Sequence, residues 1–174
     1  MKRCLLALAV ALLCSVPARA QVAKSLTVGY GFMPMNASYN HYTSRHTVGA
    51  FALGGQVALN PWLRVGLEAS FAPTSYDAAS ALSLEQHALK DNSLAALATV
   101  QVVWRNAERL RMYYGGGVGL EWRLQKSHRG TFSSLGVNYQ LTLFGIEVGQ
   151  RLYGLCEVGY GCNGIVRLGG GVRF

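Results

Sequence analysis

The chain has 174 residues, with 16 Lys and Arg against 8 Asp and Glu and a formal net charge of +8. Only 14% of it is charged while 51% is hydrophobic, so something other than water meets much of the surface. The length suits one domain, and no basic stripe interleaved with aromatics is present, which excludes nucleic acid as a partner.

The N-terminus reads MKRCLLALAVALLCSVPARA. Lys2 and Arg3 precede an uncharged apolar run from Cys4 to Val16, and Ala18-Arg19-Ala20 supplies the small-x-small pattern of a signal peptidase site. The run is shorter than the ~20 residues a membrane-spanning helix needs. The sequence therefore predicts a cleaved signal over 1–20 and a single domain over 21–174. Leu13 before Cys14 argues against lipidation, which wants a small residue there. Loss of Lys2, Arg3 and Arg19 leaves 13 basic and 8 acidic residues, a mild +5 with no clustering.

No later apolar run is long enough for a membrane helix. Instead, segments of about ten residues alternate apolar and polar, the period that places neighbouring side chains on opposite faces of a strand. In chain order, Leu26, Val28, Tyr30 and Phe32 alternate with Thr27, Gly29 and Gly31. Over Thr47 to Leu59, Phe51, Leu53, Val57 and Leu59 oppose Ala50, Ala52, Gly54, Gln56 and Ala58. Val65, Leu67, Ala69 and Phe71 oppose Arg64, Gly66, Glu68 and Ser70. Leu94 to Trp104 sets Ala96, Ala98, Val100, Val102 and Trp104 against Thr99 and Gln101, with Leu97 and Val103 on the polar side. Leu110 to Arg123 puts Leu120 and Trp122 opposite Arg111, Tyr113, Glu121 and Arg123. Leu135 to Leu143 alternates with Ser134, Gly136, Asn138, Gln140 and Thr142. In Leu152 to Cys162, Glu157 and glycines oppose Val158, Tyr160, Cys156 and Cys162. The last segment sets Val166, Leu168, Gly170, Val172 and Phe174 against Arg167, Gly169, Gly171 and Arg173. That makes eight strands.

The connections alternate in length. They are short at Asn60-Pro61, at Asn106-Ala107-Glu108 and at Gly149-Gln150-Arg151, and long at 34–45, 73–92 and 124–132. Such alternation marks a transmembrane barrel with turns on one side and loops on the other. The final connection is tight, and Asn163-Gly164 is a type I′ hairpin signal. Ser83 to Leu89 reads equally as a helical turn or as strand. The expected fold is an all-β, eight-stranded, antiparallel up-and-down transmembrane β-barrel.

In such a barrel the apolar face meets lipid and the polar face fills a narrow lumen. Buried charges must then be paired. The expected lumen network places Glu68, Glu121 and Glu157 opposite Arg64, Arg111, Arg167 and Arg173. The expected interface girdle is Trp62, Trp104 and Phe174 at one end and Phe32, Phe71 and Trp122 at the other, because aromatic side chains favour the headgroup level.

The closing stretch GIVRLGGGVRF resembles the C-terminal assembly signal of bacterial outer-membrane proteins, with Val166, Leu168, Val172 and Phe174 at alternate positions. With EVGYG and Asn163-Gly164 before it, the chain is similar to small barrels of the OmpX, OmpA and OmpW kind, although Gly170 departs from the large apolar residue of the pattern. The resemblance implies a Gram-negative outer membrane as the address. It also implies outer-membrane lipid and lipopolysaccharide as surroundings, and barrel-insertion machinery acting on the last strand. It further implies a structural or surface-interaction role through extracellular loops, with an OmpW-like path for small hydrophobic molecules as the alternative.

Other chemistry is weak. His41, His46, His87 and His128 fall in long connections without zinc-ligand spacing. Ser127-His128, followed by Ser133 and Ser134, lacks the His-x-Ser strand motif of outer-membrane deacylases, so a lipid-modifying enzyme is the least favoured reading. Gly115-Gly116-Gly117 and Gly169-Gly170-Gly171 have no following Lys-Ser/Thr and are not phosphate loops. No catalytic, cofactor or metal site is expected. Cys156 and Cys162, about 20 Å apart on an extended strand, could bridge only across a tight turn at 159–161; two small apolar strand residues is the simpler account.

Overall fold

The computed structural model describes residues 23–34, 44–47, 49–78, 87–127 and 130–174, with side chains over 23–34, 49–74, 92–124 and 131–174. Nine antiparallel strands form one sheet: β1 (Lys24–Phe32), β2 (Ser44–Thr47), β3 (Ala50–Asn60), β4 (Leu63–Ala78), β5 (His87–Asn106), β6 (Leu110–Ser127), β7 (Gly130–Gly149), β8 (Leu152–Gly161) and β9 (Val166–Arg173). Their order is β2-β4-β3-β1-β9-β8-β7-β6-β5, and β5 pairs back with β4. Eight strands thus close a ring. Closure leaves no edge within the ring, the only arrangement in which a sheet can satisfy its backbone groups in hydrocarbon.

The ninth strand, β2, continues β3. Thr47 pairs with Thr74 and Phe51 with Phe71, so one extra residue lies between the two pairs at Gly49, where φ is +138°. The seam is β1 on β9, with Leu26 opposite Val172 and Phe32 opposite Val166, and the Phe174 amide donates to the Lys24 carbonyl. The C-terminal strand is therefore the closing stave.

The start of β1, the C-terminus and three tight turns share one end, here the terminal end. Asn60 Oδ1 accepts from the amides of Trp62 and Leu63 at 3.0 and 2.7 Å, an Asx turn in which Pro61 presets the backbone. The opposite, distal end is lopsided. At 9, 10 and 8 residues, β1, β8 and β9 reach about 20–25 Å of height at ~40° tilt, close to an apolar band of about 25 Å. With 16 to 20 residues, β4 to β7 continue well past that height.

This corrects two expected loops. Within 124–132 β6 and β7 pair as far as Ser127 opposite Gly130, and 128–129 lie outside the described residues. Most of 73–92 is strand, up to the pair Ala78 and His87, so Leu89 and its neighbours extend β5, whereas 83–86 lie outside the described residues. On β7, residues 131–137 are exposed on both faces of the sheet and the alternation of burial stops there, but the backbone ladder does not depend on it.

The final turn is a further correction. The Gly164 amide donates to the Gly161 carbonyl, making Cys162 and Asn163 the central pair, and Asn163 is not left-handed. A type I′ turn needs φ above zero at both central positions. Here the left-handed positions are the flanking Gly161 and Gly164.

Candidate functional site

The outer face of the barrel is apolar. Leu67 is 56% exposed, Leu120 55% and Val118 65%, in a surface continued by Val28, Leu53, Leu94, Val100, Leu141 and Leu168. Val65 and Val172 are half-buried. The girdle residues Phe32, Trp62, Phe71, Trp104, Trp122 and Phe174 are all exposed. Trp62 and Phe174 lie at the terminal end with Trp104 beside them, while Phe71 pairs with Leu94 and Leu94 with Trp122 partway up the long strands.

The inner face is filled by side chains in three polar groups. In the middle, Arg167 ion-pairs with Glu68 through Nη1 and with Glu157 through Nε. Tyr113 Oη donates to the other Glu157 oxygen, and Asn163 Nδ2 donates to the other Glu68 oxygen. All five residues are buried. Toward the distal end, Glu121 Oε2 accepts from Arg123 Nη2 and Asn138 Nδ2, each at 2.9 Å. Toward the terminal end, Arg64 and Arg173 hold one oxygen each of Glu147. Arg173 also donates to the Gly149 and Gln150 carbonyls and stacks 4.1 Å from the Tyr153 ring centroid.

Of the residues expected in the lumen, Arg64, Glu68, Glu157, Arg167 and Arg173 are thus joined to carboxylates or guanidiniums there. Glu121 is paired with Arg123 of its own strand. Arg111 faces Arg173, Arg64, Glu147 and Tyr153, yet it makes no ion pair among the described residues.

Glu147, Tyr113, Asn138 and Asn163 belong to the network and sequence reasoning missed them. For Glu147 the cause is a β-bulge. Around Leu143, β7 carries one residue more than β6 and β8. Leu143 and Phe144 both face outward, and the inward set shifts from even to odd positions. Two adjacent large apolar residues ahead of Gly145-Ile146-Glu147 were the available signal.

Cys162 is corrected from a strand-face position. It sits in the turn, 3% exposed and turned inward, while Cys156 faces out from β8, and both thiols are free. The turn is drawn over the lumen because β1 gives it room. A Cβ on Gly31 would lie 1.6 Å from the Asn163 carbonyl oxygen.

Above the turn, residues 130–138 of β7 pair with β6 alone, whereas on the other side the Tyr139 carbonyl accepts from the Cys162 amide and β8 pairing begins at Gln140 opposite Gly161. Among the described residues this leaves a free strand edge, and Phe132, Leu135 and Val137 on it are 62%, 72% and 76% exposed. Ser133 and Ser134 lie on the same stretch, Ser127 ends β6, and His41 and His128 fall outside the described residues. His46 and His87 are on β2 and β5. No group of three metal-ligating side chains occurs among the described residues.

No family model matches the chain, and no characterised protein matches it in sequence. Among solved structures it is similar to Ail, the attachment invasion locus protein of Yersinia pestis, in complex with the heparin analogue sucrose octasulfate. That match has a TM-score of 0.51 at 15% identity and covers 88% of this chain and 99% of Ail. The barrel fold is shared with Ail. A second Ail structure gives 16% identity and a TM-score of 0.44 over 88% of this chain and 96% of Ail.

Proposed function

We propose that the chain is an outer-membrane barrel with a plugged lumen, whose task is surface interaction through its distal wall. The observation that carries this is the Arg167 bridge between Glu68 and Glu157, capped by the Asn163 turn. Side chains occupy the cross-section at that level and are held by charge-assisted bonds, which are about twice as strong as neutral ones. The apolar exterior supports a lipid setting. The short turns support placing the terminal end in the periplasm, where such barrels keep their tight connections. The distal wall then stands outside the cell, and its β7 edge, which no described residue pairs over 130–138, offers backbone groups to an extended segment of a partner protein.

Single-channel recording in planar bilayers tests the choice between surface interaction and conduction. The purified full chain, folded and reconstituted, is expected to show no stable openings. Discrete, persistent conductance would replace this reading with transport through the lumen.

A further inference from the structure

The three lumen groups are not electrically alike. Glu121 and Arg123 balance. Glu68 and Glu157 outnumber Arg167 by one. At the terminal end, among the described lumen side chains, Arg64, Arg111 and Arg173 surround the single carboxylate of Glu147, an excess of two positive charges.

Arg111 is the residue left over. It stands directly opposite Glu147 in the β6–β7 ladder, but both Glu147 oxygens are already engaged, Oε1 by Arg64 and Oε2 by Arg173. Its Nε is buried and has no hydrogen-bond partner, although the side chain as a whole is only half-buried and remains reachable from the terminal mouth. Arg173 and Arg64 repel it, and Glu147, which attracts it, makes its hydrogen bonds to those two guanidiniums and none to Arg111. An unsatisfied charged donor in such surroundings favours any acceptor that can enter.

The surrounding rim points the same way. Arg105, Arg109 and Arg151 are exposed at this end, and Glu108, the acidic residue of the 106–109 turn, accepts a hydrogen bond from Gln150. Converging positive charge at a low-dielectric mouth concentrates anions there. A planar guanidinium with parallel N–H donors suits tetrahedral and planar oxyanions. Because the three arginines face the lumen and not the lipid, the anion comes from solution.

We propose that the terminal mouth of the lumen is an oxyanion site, in which Arg111, flanked by Arg64 and Arg173, receives a small soluble anion of the phosphate class. The site is independent of the distal surface and of whether anything crosses the barrel.

The test uses the full folded chain in detergent, with inorganic phosphate as the probe and chloride adjusted to hold ionic strength constant. Phosphorus NMR line width reports binding directly, and heat-modifiable gel mobility reports folding. The protein should broaden the phosphate signal saturably. Arg111→Gln should weaken the apparent affinity at least tenfold, Arg111→Lys should weaken it less, and Arg123→Gln at the distal group should leave it unchanged. Should Arg111→Gln not fold, the comparison of Arg111→Lys with Arg123→Gln decides. The proposal fails if the unsubstituted chain causes no saturable broadening, or if folded Arg111 variants bind as the unsubstituted chain does.

Discussion

The ring of Tyr113 rests on Gly145, its cross-strand partner, so closely that a Cβ on Gly145 would lie 2.4 Å from Cζ. The missing side chain gives the ring its place, and from it the hydroxyl reaches Glu157. Gly145→Ala should push the ring away and break that bond, at a cost of about 1–3 kcal/mol for overpacking a filled interior. Gly136 and Gly154 have no heavy atom within 4 Å of such a Cβ. Alanine at either should stay within about 0.5 kcal/mol of the unsubstituted chain. Equilibrium urea unfolding of the detergent-folded barrel compares the three, and equal midpoints would show that the ring is not confined by Gly145.

Among the described residues, Arg167 is the one cation that ion-pairs with both Glu68 and Glu157. Arg167→Met should destabilise the barrel by about 3–5 kcal/mol, the cost of leaving buried carboxylates without their partner. Adding Glu68→Gln and Glu157→Gln to Arg167→Met should recover much of the loss, because neutral amides no longer demand a cation. The same unfolding assay measures both variants. A triple variant as unstable as the single one would mean that packing around Arg167, and not charge compensation, dominates.

The barrel was legible because lipid and lumen impose opposite demands on alternate residues, and Arg64 to Phe71 obeys that alternation throughout. Legibility ended wherever one of those demands lapsed. Past Phe71 the next outward position of β4 is Pro73 in place of a large apolar residue, so the alternation lapses there and the strand reads as a loop. At Leu143 the bulge in β7 reversed the parity, and Glu147 was lost from the predicted network although its partners Arg64 and Arg173 were found. The Asn163-Gly164 dipeptide marks a hairpin tip and nothing more. The inward bond of Asn163 to Glu68 depends on Gly31, a contact over more than a hundred residues that no local pattern encodes.

The outward face carries a depth-dependent prediction. Leu120→Arg, within the apolar band, should destabilise the folded state in lipid by about 2–4 kcal/mol, whereas Phe132→Arg, on the distal wall, should cost only about 0–1 kcal/mol. Leu120 and Phe132 are similarly exposed, so a difference between them reports lipid depth and not burial in protein. Folding titrations into phospholipid vesicles supply the measurement. Equal costs at the two positions would contradict the assignment of the band to lipid.

Cys162 gives a dependence on pH. Burial in the turn, reinforced by the Glu68 and Glu121 carboxylates and only partly opposed by a hydrogen bond with Ser70, pushes its thiol up to about 12. An unfolded cysteine titrates near ~8.5. The folded state therefore holds the proton more tightly, and the stability this confers is full below the unfolded value and declines as pH rises through the folded one. The slope contributed by this thiol is at most about 1.4 kcal/mol per pH unit, the limit for one proton. Cys162→Ala should lose stability less steeply than the unsubstituted chain between about pH 9 and 12, and the difference between the two curves isolates the thiol from tyrosines and lysines that titrate in the same range. At neutral pH the folded chain should also protect Cys162 from a polar thiol reagent that labels it after boiling, since the thiolate is the reacting species. Parallel curves for the two chains, together with rapid labelling of folded protein, would place Cys162 at the surface and the turn outside the lumen.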